Sequence, residues 1–140
     1  VSPSPLENLV RIGQLKLQPP VAGEVDRLLA MARTRLADSR QEGVSLEGRF
    51  SSAYTAAHLA AMAALRRQGY RSENRYIVFQ CLEHSAGWAA ARWRVLAAAH
   101  NARNRAEYEG FVEADERSVG ELVALAGALI DDVQRTVGSG

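Results

Sequence analysis

Within the segment WRVLAAAHNARNRAEYEG, the residues Leu96, His100, Arg103, Asn104 and Tyr108 recur at helical spacing. A helix brings residues three and four apart onto one face, so these five form a single stripe. The turns leading up to Leu96 make that stripe the face expected to pack inward, and there it turns polar. Arginine carries a permanent charge and a planar fork of donors that matches phosphate or carboxylate. Histidine exchanges protons near neutral pH, and His100 stands one helical turn before Arg103. Asparagine can orient a bound group, and a tyrosine can hydrogen-bond or stack. The chemistry this points to is recognition of an anion. A buried polar network that only fixes helix register is equally consistent, with Glu47 or Glu107 pairing Arg103.

A second group precedes it: Arg49, Tyr54 and His58. Tyr54 shares a stripe with Phe50, Ala57 and Ala61, so it is expected on the inner face with its hydroxyl partnered. His58 follows Tyr54 by one turn and faces the same cavity if the two helices pack together. His84 reads as a cap near a helix end. Histidines at 58, 84 and 100 lack metal-ligand spacing, so no metal site is expected. No glycine-rich phosphate loop, serine–histidine–aspartate set or paired-cysteine motif is present, and no cofactor is implied. Trp88 and Trp93 read as core anchors. Arg66, Arg67, Arg71 and Arg75 surround the turn at Gly69 and read as a solvated end.

The elements that must position these residues are helical nearly throughout. Residues 1–20 form an N-terminal arm, with a short helix over 6–12 and a stop at Pro19-Pro20. Its apolar residues, Leu6, Leu9, Val10, Leu15 and Leu17, must cover either their own bundle or a partner subunit. Residues 21–140 form one bundle domain. Val25, Leu28, Leu29, Ala32 and Leu36 mark one helix face ending near Ser39; Ser45 caps the next, which Gly69 closes. Ser72 is expected to cap a short helix over 73–85. A long helix over about 89–108 follows, then a last apolar face from Val119 to Val133, with Glu113, Asp115 and Glu116 at its positive end. Period-two alternation is not sustained, so no sheet is expected. The fold class is all-α: an up-and-down four-helix bundle with an additional short helix and the arm.

Apolar residues make up 47% of the 140 and charged residues 24%, the composition of one globular domain. The apolar runs are far short of the roughly 20 residues a membrane span needs. No basic segment followed by an apolar block opens the chain, and Cys81 is the single cysteine; a cytoplasmic setting is expected. The net charge of +1 is unevenly laid out. Residues 66–105 carry eight arginines against Glu73 and Glu83, whereas residues 106–140 carry eight acids against Arg117 and Arg135. Such a split can steer a polyanion or pair one subunit with another.

Two segments together resemble the HEPN superfamily of small helical domains. One is Gly48-Arg49-Phe50-Ser51-Ser52-Ala53-Tyr54-Thr55-Ala56-Ala57, running on to Ala64-Leu65 and Gly69-Tyr70; the other is Arg103-Asn104-Arg105-Ala106-Glu107-Tyr108. The first is similar to the family's early helix, the second to its late-helix Arg-Asn motif. In the family's active ribonucleases a histidine follows the arginine a few residues later. Here Tyr108 stands at that place, with no histidine downstream. Tyrosine, with a pKa of about 10, is a poor base near neutrality. The resemblance therefore implies a nucleotide- or RNA-binding module without a catalytic residue. Arg103 would grip phosphate, Asn104 orient it and Tyr108 bond or stack, with His100, Arg49 and Tyr54 alongside. It also implies a homodimer that sets two arginine motifs in one basic cleft. A toxin–antitoxin or defence pair with a nucleotidyltransferase-type partner protein would be the setting. The alternatives are a structural protein-interaction bundle, and an enzyme that uses His100.

Overall fold

The computed structural model describes residues 4–139, with side chains as far as Arg135; the outermost residues of the arm and bundle, 1–3 and 140, lie outside the described residues. In chain order the elements are α1 (Pro5–Arg11), β1 (Lys16–Leu17), α2 (Glu24–Ser39), α3 (Leu46–Arg67), β2 (Tyr70–Arg71), α4 (Arg75–Gln80), α5 (Leu82–Ser85), α6 (Ala90–Glu109) and α7 (Glu116–Ser139). This is an all-α bundle, as the periodicity implies. Helices α2, α3 and α7 pack most closely, and α6 is held chiefly through α4.

Alanine explains that tight trio. Seven alanines of α3, from Ala53 to Ala64, are fully buried. Side chains this small let helix axes approach at the short end of the usual range of about 8–10 Å. The larger side chains Phe50, Tyr54 and Leu65 are interspersed among them, and α7 contributes Val119, Leu122, Ala126, Leu129, Ile130 and Val133. Trp88 and Trp93 are buried as expected. Their indole N–H groups donate to Asp132 at 2.8 Å and Glu83 at 3.2 Å. Cys81 is fully enclosed, and burial pushes its thiol up to about 11.

Helix starts follow local chemistry. Ser45 Oγ accepts the Gly48 N–H at 3.0 Å, as its position implies. The short helix is capped by Asn74 instead of Ser72, because the Asn74 carboxamide oxygen accepts the Ile77 N–H at 3.2 Å. That helix also divides at Cys81 into α4 and α5. Asp115 and Ser118 cap α7 reciprocally, carboxylate to Ser118 N–H at 2.7 Å and hydroxyl oxygen to Asp115 N–H at 3.1 Å.

The arm lies on its own bundle, with Leu6 and Leu15 in the core and Leu17 exposed. It is fastened by a ladder that period-two reasoning did not anticipate: Lys16 pairs with Arg71 and Leu17 with Tyr70, antiparallel. Two residues are too few to show any alternation in sequence.

Beneath this ladder sits a buried charge. Arg66, expected at a solvated end, is only 4% exposed. All five of its N–H groups are used. Two reach Glu24 at 2.9 and 3.0 Å, and three reach the carbonyls of Gln18, Pro19 and Tyr70 at 2.7, 3.1 and 3.3 Å. The hydrogen bond from Arg66, aided by the Val21 N–H, holds the Glu24 carboxyl down to about 2. Replacing Arg66 with methionine leaves three carbonyls without this donor and the Glu24 carboxylate with the Val21 N–H in place of three donors. We expect a loss of about 3 kcal/mol in urea unfolding, against less than about 0.5 for Arg35→Met on the surface.

Candidate functional site

Tyr54 lies in the middle of α3 and is completely buried, in agreement with the phase of its stripe. Its ring stands 6.0 Å from that of Phe79 on α4, tilted by 59°. The rings of His58 and His100 lie nearly parallel to it at 6.4 and 6.2 Å. Its hydroxyl is 3.0 Å from His100 Nδ1 on α6, and Arg75, the first residue of α4, donates to it at 3.3 Å. The guanidinium carbons of Arg103 and Arg75 lie 5.3 and 5.9 Å from the ring centroid. Asn104 Nδ2 is 3.1 Å from His100 Nε2. Helices α3, α4 and α6 thus converge on one phenol.

Proton positions follow from the donor inventory. Arg75 can only donate, so the Tyr54 oxygen accepts there. The hydroxyl proton is buried and needs an acceptor, which neutral His100 supplies at Nδ1. The imidazole proton then sits on Nε2 and faces Asn104. That amide is exposed, and a half-turn presents its oxygen.

Both imidazoles are kept neutral. Burial lowers His58 to about 4, reinforced by the charges of Arg75 and Arg103 and by His100 whenever that ring is protonated. Burial also lowers His100, again with Arg75 and Arg103 acting against its proton. Most of the surrounding arginine block is already occupied. Arg66 holds Glu24, Arg67 donates to the Ser85 and Val133 carbonyls, Arg71 pairs with Glu73, and Arg92 lies over Trp88 near Asp132. Among the described residues, neither Arg75 nor Arg103 makes an ion pair. Glu47 and Glu107 line an open pocket of about 230 Å³ with Arg103, yet neither comes within pairing distance of it. Two cations therefore stand over a buried aromatic ring with no carboxylate among the described residues to neutralise them.

Of the residues singled out by spacing, His100, Arg103, Asn104 and Tyr54 come together. Tyr108 does not: its side chain is 91% exposed, so the polar stripe is not sunk between helices along its whole length. Position 108 lies about 140° around the helix from 103. The six-residue α4, which chiefly holds α6, is also much shorter than the 20-residue helix it supports. Arg49 is likewise placed elsewhere. Its Nε donates to the Ser39 carbonyl at 2.9 Å and its Nη1 lies 3.8 Å from Glu116, tying the end of α2 to the start of α7. Two members were not anticipated, Arg75 and Phe79. A capped helix opening Arg-Tyr-Ile-Val-Phe carried a signal, a cation and an aromatic four apart on one face.

Among the described residues no group of three or more histidine, cysteine or carboxylate side chains could hold a metal ion. No described helix is long and apolar enough to cross a membrane. Comparisons with protein-family models, curated proteins and solved structures find no match.

The neutral histidines have a consequence for stability. His58 in the unfolded chain takes a proton near pH 6.5, whereas in the folded protein it does so only near 4. The unfolded state thus binds more protons between these values, and stability falls as pH drops through that window. The loss should approach about 2–3 kcal/mol by pH 4. His58→Gln should flatten the slope of unfolding free energy between about pH 6.5 and 4, measured against wild type. Removing the hydroxyl with Tyr54→Phe should cost about 1–2 kcal/mol and raise the His100 pKa seen by NMR, because Nδ1 loses its donor.

Proposed function

We propose that this chain is a HEPN-like module that binds a nucleotide or RNA through phosphate, and that it is catalytically degenerate. The observation that carries the reading is the pair Arg75 and Arg103, two guanidinium groups at the Tyr54 ring with no carboxylate partner among the described residues. The buried Arg66 is neutralised by Glu24, and Arg67 is satisfied by two backbone carbonyls. Arginine without a carboxylate partner is the side chain that recognises phosphate. The resemblance in residues 48–57 and 103–108 supports the same ligand class. Under this reading Arg103 and Arg75 hold phosphate, and His100 and Asn104 orient it. Tyr54 fixes the geometry from below, and Tyr108 offers an exposed ring on a neighbouring face.

The rival, a structural interaction bundle, would use the cluster only to set helix packing. It predicts that the two arginines are dispensable for binding because nothing binds there. The same resemblance supports a homodimer and a nucleotidyltransferase-type partner in a toxin–antitoxin or defence pair, in a cytoplasmic setting. Helix α6 offers a surface for self-association. Val95, Ala98 and Ala102 border an apolar groove of about 210 Å³ against Phe50 and Leu122.

Binding of a short single-stranded RNA and of a nucleotide to purified protein tests the proposal. Arg103→Ala and Arg75→Ala should each weaken affinity about tenfold or more, leave thermal unfolding nearly unchanged, and reduce the salt dependence of RNA binding. Equal binding by wild type and both variants would favour the rival. In EDTA the wild type should not cleave RNA at rates comparable with a protein that has a histidine at the place of Tyr108. Loss of acid–base help costs about 10²–10⁴-fold. Light scattering should give about twice the chain mass of 15.2 kDa; a 15.2 kDa species at micromolar concentration would dismiss the dimer.

A further inference from the structure

The Tyr54 cluster holds more than two cations. From α3 it is faced by Tyr54 and His58, from α4 by Arg75, and from α6 by His100, Arg103 and Asn104. Glu47 and Glu107 stand beside Arg103 in the neighbouring pocket, outside pairing distance. His58 is held by ring contacts with Tyr54 and Phe79, the latter edge-on at 5.7 Å. No hydrogen bond to its nitrogens occurs among the described residues. The site therefore combines two fixed positive charges with two neutral bases, all around one ring.

We propose that this cluster is a proton-coupled dianion site: Arg75 and Arg103 hold a terminal phosphate monoester, and the adjoining imidazoles take up a proton as it binds. The proposal rests on the phosphate-binding reading above and narrows it to a ligand class. Two guanidinium groups match the two charges of a monoester, whereas a phosphodiester presents one charge per phosphate. The coupling follows from the same cluster. Arg75 and Arg103 act against protonation of both imidazoles, and an anion bound to the guanidinium groups offsets that opposition. A proton on His100 Nδ1 would take away the one acceptor of the buried Tyr54 hydroxyl, so uptake there is resisted. On His58 no such cost arises. By linkage, a ligand that raises the pKa of a group binds more tightly as pH falls toward that pKa.

Sulfate is the clean probe, because it stays a dianion across the range in which a phosphate monoester itself titrates. Calorimetry of sulfate binding in two buffers of different ionisation heat reads proton uptake directly. We expect affinity to rise about tenfold from about pH 7.5 to about pH 5, with net uptake of up to one proton. Uptake should vanish in the double variant His58→Gln, His100→Gln. Arg75→Ala, at an exposed position, should weaken sulfate without unfolding the protein. At about pH 7.5 a nucleoside 5′-monophosphate should bind about tenfold more tightly than a dinucleoside phosphodiester. Binding without proton uptake, or equal affinity for monoester and diester, overturns this proposal and leaves the phosphate-binding reading standing. No binding of sulfate, monophosphate, diester or RNA at any pH overturns both.

Discussion

A guanidinium cannot give up its proton in a protein, so burying one obliges the chain to surround it with acceptors. Arg66 imposes that obligation at the end of α3. Its acceptors come from three places in the chain: the arm, the first residue of α2 and the second strand of the ladder. Satisfying them fixes where the arm crosses and where β2 leaves α3. Four residues beyond β2, α4 begins with Arg75. Next to it in sequence, Arg67 binds the Ser85 carbonyl and so fixes the end of α5, from which α6 departs. The pair Arg66 and Arg67 thus sets the positions of the two helices that meet α3 at Tyr54, some 12 residues back along α3.

Alanine does the complementary work. A face made of Ala53, Ala56, Ala57, Ala60 and Ala61 presents little relief, so one large residue in its midst dominates local packing. Tyr54 is that residue. Its ring meets Phe79 and two imidazoles, and its hydroxyl has the two partners a buried phenol requires. Site and core are therefore the same object here, and the polarity of one is bounded by the apolar enclosure of the other.

Sequence periodicity was enough for the helices, the burial of Tyr54, the two tryptophans, the cap at Ser45 and the closure at Gly69. It was enough to place His100, Arg103 and Asn104 on one face. Periodicity gives a direction around a helix and says nothing of how far the covering layer extends, which is why Tyr108 looked buried and stands in solvent. It also misjudged Arg66 and Arg75. The fate of Arg66 depends on Glu24, 42 residues away, and on backbone carbonyls that carry no sequence signature. Arg75 became part of the site because α4 is capped by Asn74, two residues from the expected cap. The two-residue ladder has no pattern to read. Apart from the cap at Asn74, what was illegible was non-local.

The enclosed thiol of Cys81 has a kinetic meaning. It lies where α4 meets α5, and its elevated pKa leaves almost none of it as thiolate near neutrality. A disulfide reagent in solvent finds nothing to attack while this segment is closed. Each modification event thus records an opening, local or global, of the segment around Cys81. With a single cysteine in the chain, the rate of labelling reports the opening of that one segment.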